Sequence, residues 1–235
     1  MATPAPSATR TIDFGRALTF VGEDPDWIKK LLIGGAFTLA CAVLVGLPFV
    51  LGYAWRTFRN VAAGSARPLP EWDELGGLFS EGLRLTLVYF AHVLGVLAVF
   101  FLLAAVLLAP IFMAAGSDGH VPDALGVVGA LGMVALYAAI FVVGLALFVY
   151  LPAAIARAAL AERAGAAFEV GANLAFIRDH LGNYALALVA YLIASFLSQF
   201  GFLLCCVGVF PAAFWSHLVL SHALGEAVRL GPGRR

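Results

Sequence analysis

The sequence is short of charge. Only 12% of its 235 residues are Asp, Glu, Lys or Arg, about half the roughly 25% of a soluble domain. So few charges cannot cover a water-facing surface of ordinary size, which excludes a typical soluble globule. A basic excess is missing as well. Fourteen Lys and Arg balance fourteen Asp and Glu, so the electrostatic footprint of a nucleic-acid binder is absent and no nucleic-acid partner is expected. Cysteine is scarce: Cys41, Cys205 and Cys206 all lie in or beside apolar runs. Three such thiols form neither an even disulfide framework nor a zinc spacing. The Cys205–Cys206 pair reads as core or lipid-facing packing ahead of palmitoylation. Residues 1–10, MATPAPSATR, read as a disordered lead, without the basic and apolar regions of a signal peptide. Insertion is therefore expected to rest on internal apolar segments.

What is abundant is apolar surface. Hydrophobic residues make up 63% of the chain and the mean hydropathy is +0.98. Four long apolar stretches cover about 31–55, 85–112, 124–152 and 184–225. Roughly 20 helical residues cross the hydrocarbon core, so the second and third stretches each supply one span. The fourth is twice as long and is interrupted around Cys205-Cys206-Val207-Gly208-Val209-Phe210-Pro211. Gly and Pro there end one helix and open the next, giving two spans.

The first stretch admits two readings: one span from Leu31 to Trp55, or a hairpin turning at Gly46-Leu47-Pro48 whose first arm opens at Asp24-Pro25. The hairpin arms would be short, leaving Lys29, Lys30 and Arg56 to snorkel. Length favours the single span, whereas charge placement favours the hairpin. With a hairpin, every Lys and Arg falls on one side, in the N-terminus, the 56–84 and 153–183 loops and the C-terminus. The other side then receives the turns near 46 and 207 and the loop 113–123, with Asp118, His120 and Asp123. The positive-inside rule prefers that arrangement.

An internal repeat points the same way. Residues 12–21, Ile-Asp-Phe-Gly-Arg-Ala-Leu-Thr-Phe-Val, match residues 168–177, Phe-Glu-Val-Gly-Ala-Asn-Leu-Ala-Phe-Ile. Each precedes an acid and then a span, and a weaker copy, Glu74-Leu75-Gly76, precedes the middle hairpin. At helical spacing Phe14, Ala17, Leu18 and Val21 share one face, opposite Asp13, Arg16, Thr19 and Glu23. The expected unit is an amphipathic interfacial helix followed by a transmembrane hairpin, used three times.

Several of these residues carry a family likeness. Asp13-Phe14-Gly15, the run from Glu23 to Lys30, Gly52-Tyr53, Leu69-Pro70-Glu71-Trp72-Asp73 and Gly82-Leu83 belong to it. So do Cys205 to Phe210, Phe214-Trp215 and Ala223-Leu224-Gly225. Over about residues 11–230 the chain resembles the bacterial and archaeal membrane proteins grouped as domain of unknown function 4013. That resemblance brings no substrate and no catalytic residue. More loosely, the layout is similar to other multi-helix membrane domains of unknown role, some of them fused to phosphodiesterases.

The expected spans carry no Asp, Glu, Lys or Arg away from their ends. A charge at mid-bilayer costs roughly 2.5–3.5 kcal/mol on insertion scales, and ion-coupled machinery retains such charges. An ion-coupled transporter and an intramembrane acid–base hydrolase are thereby disfavoured. No phosphate loop, His-Glu-x-x-His pair or nucleophile elbow occurs; no catalytic, cofactor or metal residue is assigned, and no cofactor is expected. Polar residues inside the spans are Thr38, His92, Ser195, Ser198, Gln199, Ser216, His217, Ser221 and His222. Of these, His92, Ser195, Gln199, Ser216 and His217 form a candidate intramembrane polar cluster. Its bland reading is helix–helix glue of about 0.6 kcal/mol per bond; the sharper one is a polar binding site or haem-type ligation by His92 and His217. In Leu69-Pro70-Glu71-Trp72-Asp73-Glu74, Pro70 and the acids suit a helix start and Trp72 an interfacial anchor. Gly34-Gly35 and Gly126, Gly129 and Gly132 permit close helix approach.

The expectation is an all-α polytopic membrane bundle of about six segments, the first pair re-entrant or spanning. It comprises a lead (1–10), one transmembrane domain (11–230, hairpins about 25–63, 84–157 and 183–229) and a tail (231–235). Both termini lie in the cytoplasm and the membrane is a prokaryotic plasma membrane. Besides the bilayer, a membrane-protein partner or a second copy is expected. The leading function is a non-enzymatic scaffold, assembly partner or accessory subunit; next comes a carrier or permeation protein for a neutral or amphipathic, lipid-like molecule, and third an intramembrane enzyme.

Overall fold

A computed structural model describes residues 11–118, 123–203 and 207–231, and every regular element among them is helical. In chain order these are α1 (Phe14–Thr19), α2 (Trp27–Ala40), α3 (Leu47–Ala62), α4 (Leu75–Asp118), α5 (Asp123–Ala161), α6 (Val170–Asp179), α7 (Leu181–Ser198) and α8 (Val209–Leu230). Short 3-10 turns occupy Phe20–Glu23, Cys41–Val43, Ala164–Phe168 and Gln199–Leu203.

The first apolar stretch is two helices. After the turn at Cys41–Val43, Leu44 adopts a left-handed φ of 64°, and Pro48 sits in the first turn of α3, where a missing N–H leaves nothing unpaired. The last stretch breaks where Gly and Pro placed the break, with α8 starting at Val209 just ahead of Pro211. Cys205, Cys206 and His120 lie outside the described residues. The middle hairpin, expected over 84–157, is longer: α4 has 44 residues and α5 has 39, running through Pro110 and Pro152. Three helices, α4, α5 and α7, are long and apolar enough to cross a membrane. With 14 and 16 residues, α2 and α3 fall short of the roughly 20 a full crossing needs.

Contacts divide the chain into two compact units, Met1–Thr86 with Ala153–Arg235, and Leu87–Pro152. In the first, α8 is the central helix, with an unbroken buried run from Leu218 to Ala227. Glycines bring its neighbours close. A side chain on Gly34 would occupy the place of the Phe214 ring, and one on Gly35 that of Pro211. The tightest crossing joins α3 and α4, where the backbones of Pro48 and Gly52 meet Leu78 and Gly82 with no room for a Cβ. The glycine pair expected to permit close approach does so.

Each hairpin's lead-in segment docks on the hairpin before it, in cyclic order. Residues 12–24 lie on α7 and α8: the Ile12 N–H donates to Asn183, the Asp13 N–H to Glu226, and the Trp215 indole to the Leu18 carbonyl. Residues 65–74 lie on α2 and α3, held by Asn60 on the Pro68 carbonyl, Lys30 on Leu69 and Tyr53 on Pro70. Residues 164–179 lie on the end of α5, where Arg157 donates to Ala166 and Asn173 and pairs with Glu169 at 2.8 Å.

Only two of the three lead-ins contain the expected amphipathic helix, namely α1 and α6. The weaker copy at Glu74-Leu75-Gly76 is the start of α4 itself, preceded by irregular chain. In α1 the apolar face, expected to sink into the membrane interface, packs on protein instead: Ala17 and Val21 are buried, and Phe14 and Leu18 pack on Ala190, Ala194 and Val219. Trp72, expected as an interfacial anchor, is half-buried and packs against the core. Its ring stacks on Tyr53 at 4.3 Å and Phe37 at 5.1 Å, and its indole donates to the Lys30 carbonyl. Pro70 and the loop carbonyls around it are anchored by side chains from α2 and α3, which draws Trp72 into the aromatic cluster.

The second unit is the far part of α4 and α5. Side chains on Gly129 and Gly132 would fall on Ile111 and Leu107, so these glycines do set the helices close. Little else in it is enclosed.

Candidate functional site

The residues singled out as a polar cluster turn back on their own helices. Ser216 and His217 bond the Ala213 carbonyl at 2.7 and 2.8 Å, Ser198 bonds that of Ser195 at 2.7 Å, and Gln199, which is exposed, reaches the same carbonyl at 3.4 Å. Ser195 Oγ is buried without a partner. A carbonyl three or four residues back is always within reach of a helical hydroxyl or imidazole, and it competes with any cross-helix partner. His92 belongs to the second unit, where Nδ1 meets the Val88 carbonyl at 2.9 Å and the ring lies 5.8 Å from Tyr150. Among the described residues, no three His, Cys, Asp or Glu gather as a metal would require.

The structure assembles a different site around His222. A polar chamber of about 220 Å³ lies between α1 with its 3-10 turn, the end of α3 with the following loop, and the last turns of α8. Arg16, Glu23, Ser65, His222 and Arg229 line it. Arg16 is fixed by a fork to Glu23, Nε to Oε1 at 3.0 Å and Nη2 to Oε2 at 2.9 Å. That fork holds the Glu23 carboxyl below the usual carboxylate range. Arg229 uses Nη2 on Glu226 at 3.3 Å.

His222 is 6% exposed and stacks on Phe20 with ring centroids 4.2 Å apart. His92, His180 and His217 each bring Nδ1 to the carbonyl four residues back. His222 departs from that habit: its Nδ1 is buried with no partner. A buried polar atom left unpaired costs about 1–3 kcal/mol.

A second, apolar groove of about 520 Å³ opens between the turn after α1, the start of α2 and the start of α8. Val21, Trp27, Leu31, Pro211 and Trp215 shape it. Elsewhere in the first unit the charges are tied together. Glu81 receives Arg56 at 2.7 Å and also Arg59, while Arg59 reaches Glu162 at 3.2 Å.

Sequence reasoning named His222 only as one of the polar residues of the spans. A signal was available: His222, Glu226 and Arg229 recur at i, i+4 and i+7, one face of one helix. What the spacing could not supply was the partner wall, which comes from residues some 200 positions away. Neither a curated protein nor a solved structure matches the chain. The model of one family, described as a protein of unknown function (DUF4013), matches residues 35–207, well over half of the 235 residues. The hairpin turn of α2 and α3, the Gly52–Gly82 crossing, α4, α5 and all of α7 fall inside that match, and the chain belongs to this family.

Proposed function

We propose that the chain is a multi-pass membrane protein without enzymatic activity, acting as a scaffold, assembly partner or accessory subunit. The observation that carries this reading is the bare circumference of α4 and α5. Their most apolar 18-residue stretches are 0% and 6% buried, and Phe101, Phe112, Val134 and Phe141 are 67–73% exposed. A helix apolar all round belongs in lipid or against other membrane helices. The same reading takes all three hairpins into the bilayer as six segments, α2 and α3 re-entrant or tilted, with both termini in the cytoplasm. Its support is that no Lys or Arg occurs between Arg84 and Arg157, as the positive-inside rule requires. The same reading takes the membrane to be a prokaryotic plasma membrane.

The test is photo-crosslinking in intact membranes from benzoylphenylalanine placed at Phe101 or Phe141. Adducts of one discrete protein mass, a second copy included, support assembly. Lipid adducts alone from both positions overturn it and favour the second reading, a carrier of a lipid-like molecule. That alternative has an observation of its own in the groove between Trp27 and Trp215, whose volume of about 520 Å³ lies in the usual range of about 300–1,000 Å³ for ligand sites.

A further inference from the structure

On the reading of this chain as a membrane protein, we infer that α6 lies in the surface of the bilayer. Phe168, Val170 and Leu174 sit among acyl chains of the leaflet from which α7 descends, and the partner of this ridge is lipid. The two copies of the internal repeat differ in how they are covered. Aligned at Gly15 and Gly171, they set Phe168, Val170 and Leu174 on Ile12, Phe14 and Leu18. In the first copy Ile12 is 4% exposed, and Phe14 and Leu18 pack on Ala190, Ala194 and Val219. In the second copy the same positions are 50%, 56% and 53% exposed. One pattern is closed by protein in α1 and left open in α6.

The helix is also turned inside out. Asn173 is fully buried, accepting from Arg157 at 2.8 Å and donating to the Ala167 carbonyl at 2.7 Å. Glu169 pairs with Arg157 and Arg163. Polar groups of α6 are thus engaged by protein while its large aliphatic side chains face outward, the reverse of a helix on a water-facing surface. An interfacial helix buries such a face about 5–10 Å into the boundary of head groups and chains. Continuity names the same partner. α6 ends at Asp179, and α7, apolar and long enough to cross a membrane, begins at Leu181. Exposed apolar side chains continue along α7 at helical spacing, through Leu181, Val189, Leu192 and Phe196. Arg178, 82% exposed, stands at the bend, where a long side chain reaches head groups from an apolar stem. Asp179 lies 4.0 Å from it, and residues 162–179 hold three acids against two arginines. Apolar contact, and not attraction to anionic lipid, therefore holds the helix.

The experiment uses the full chain with Cys41, Cys205 and Cys206 changed to Ser and one new cysteine carrying an environment-sensitive fluorophore, in phosphatidylcholine vesicles. Val170→Cys and Leu174→Cys probe the ridge, Phe141→Cys probes α5, and Arg67→Cys, at an exposed loop position, is the aqueous reference. The quenchers are a lipid nitroxide near the head group, a lipid nitroxide near the chain end, and iodide in the water. Both ridge positions should be quenched about twofold more strongly by the shallow nitroxide than by the deep one. Iodide should reach them far less than it reaches position 67, and adding phosphatidylglycerol should change nothing. Iodide quenching equal to that at position 67 puts the ridge in water and overturns the inference. Protection from every quencher means that protein covers it, and stronger quenching by the deep nitroxide puts the segment inside the bilayer; either overturns it. So does a lipid signal that appears only with phosphatidylglycerol. If neither nitroxide reaches position 141, the membrane reading itself fails; if position 141 is reached and the ridge is not, only the assignment of α6 fails. Should one ridge variant not reconstitute, the other decides.

Discussion

In residues 11–86 and 153–231 apolar side chains face one another, and small residues let them do so. Ala153, Ala154, Ala156, Ala187, Ala190 and Ala194 are all fully buried, and glycines set the helix crossings. In residues 87–152 the helices are more apolar still, yet most large side chains point outward. Hydrophobicity is therefore not a measure of burial in this chain. What separates the two regions is polar anchoring. The first fixes its lead-in segments with ion pairs and side-chain-to-carbonyl bonds; the second contains no Lys or Arg at all. Burial against protein needs small residues and directed polar contacts, whereas exposure to acyl chains needs only an apolar rim.

The sharpest way to break this contrast is Gly82→Val. Its Cβ would fall on the Pro48 carbonyl oxygen, a backbone atom that cannot rotate away. Overpacking of that kind exceeds the usual 1–3 kcal/mol, and no monodisperse species should emerge from size-exclusion chromatography in detergent. Next comes Lys30→Ala. Lys30 is 3% exposed and joins Asp24 at 2.8 Å and Glu71 at 2.6 Å. Losing one partner of a buried pair costs about 3 kcal/mol, read as a fall in melting temperature, while Glu71→Gln, at the exposed end, costs less. In the second region Phe141→Arg should lower membrane insertion by about 2.5 kcal/mol, measured as the inserted fraction in a glycosylation-mapping assay. Phe141→Ala, at 73% exposure, should change thermal stability by less than about 0.5 kcal/mol.

The smallest effect is that of pH. Arg157, and then Arg163, hold the Glu169 carboxyl below its ordinary value of 4.5, as Arg16 does for Glu23. A carboxylate whose pKa is depressed on folding contributes stability that is complete above the unfolded value and is lost as pH falls through the folded one. The melting temperature should be flat from pH 8 to about 5.5 and decline below about 4.5. Glu169→Gln should soften that decline.

Much of the helical plan could be read in the sequence because helix ends carry local signals. Pro48 and Pro211 marked two helix starts, and the distribution of Lys and Arg chose the hairpin over the single span. The repeat at 12–21 and 168–177 foretold two lead-in helices, but not that the apolar face of α1 packs on α7 and α8 rather than on acyl chains. The aromatic stack on Trp72 and the weight of His222 were missed for one reason. Their surroundings come from segments far away in sequence, and periodicity describes a helix face without naming what covers it. Intrahelical carbonyls likewise drew in Ser216 and His217, a competition that no spacing pattern reveals.

The cyclic docking of the lead-in segments has a consequence for synthesis. Residues 65–74 and 164–179 meet partners already made when they leave the ribosome. Residues 12–24 do not, for the Asp13 amide waits for Glu226, 213 positions later. Contacts so distant in sequence close late and slowly. The amino end must therefore remain undocked through almost the whole of translation, and the chamber with His222 comes into being only when the last helix is complete.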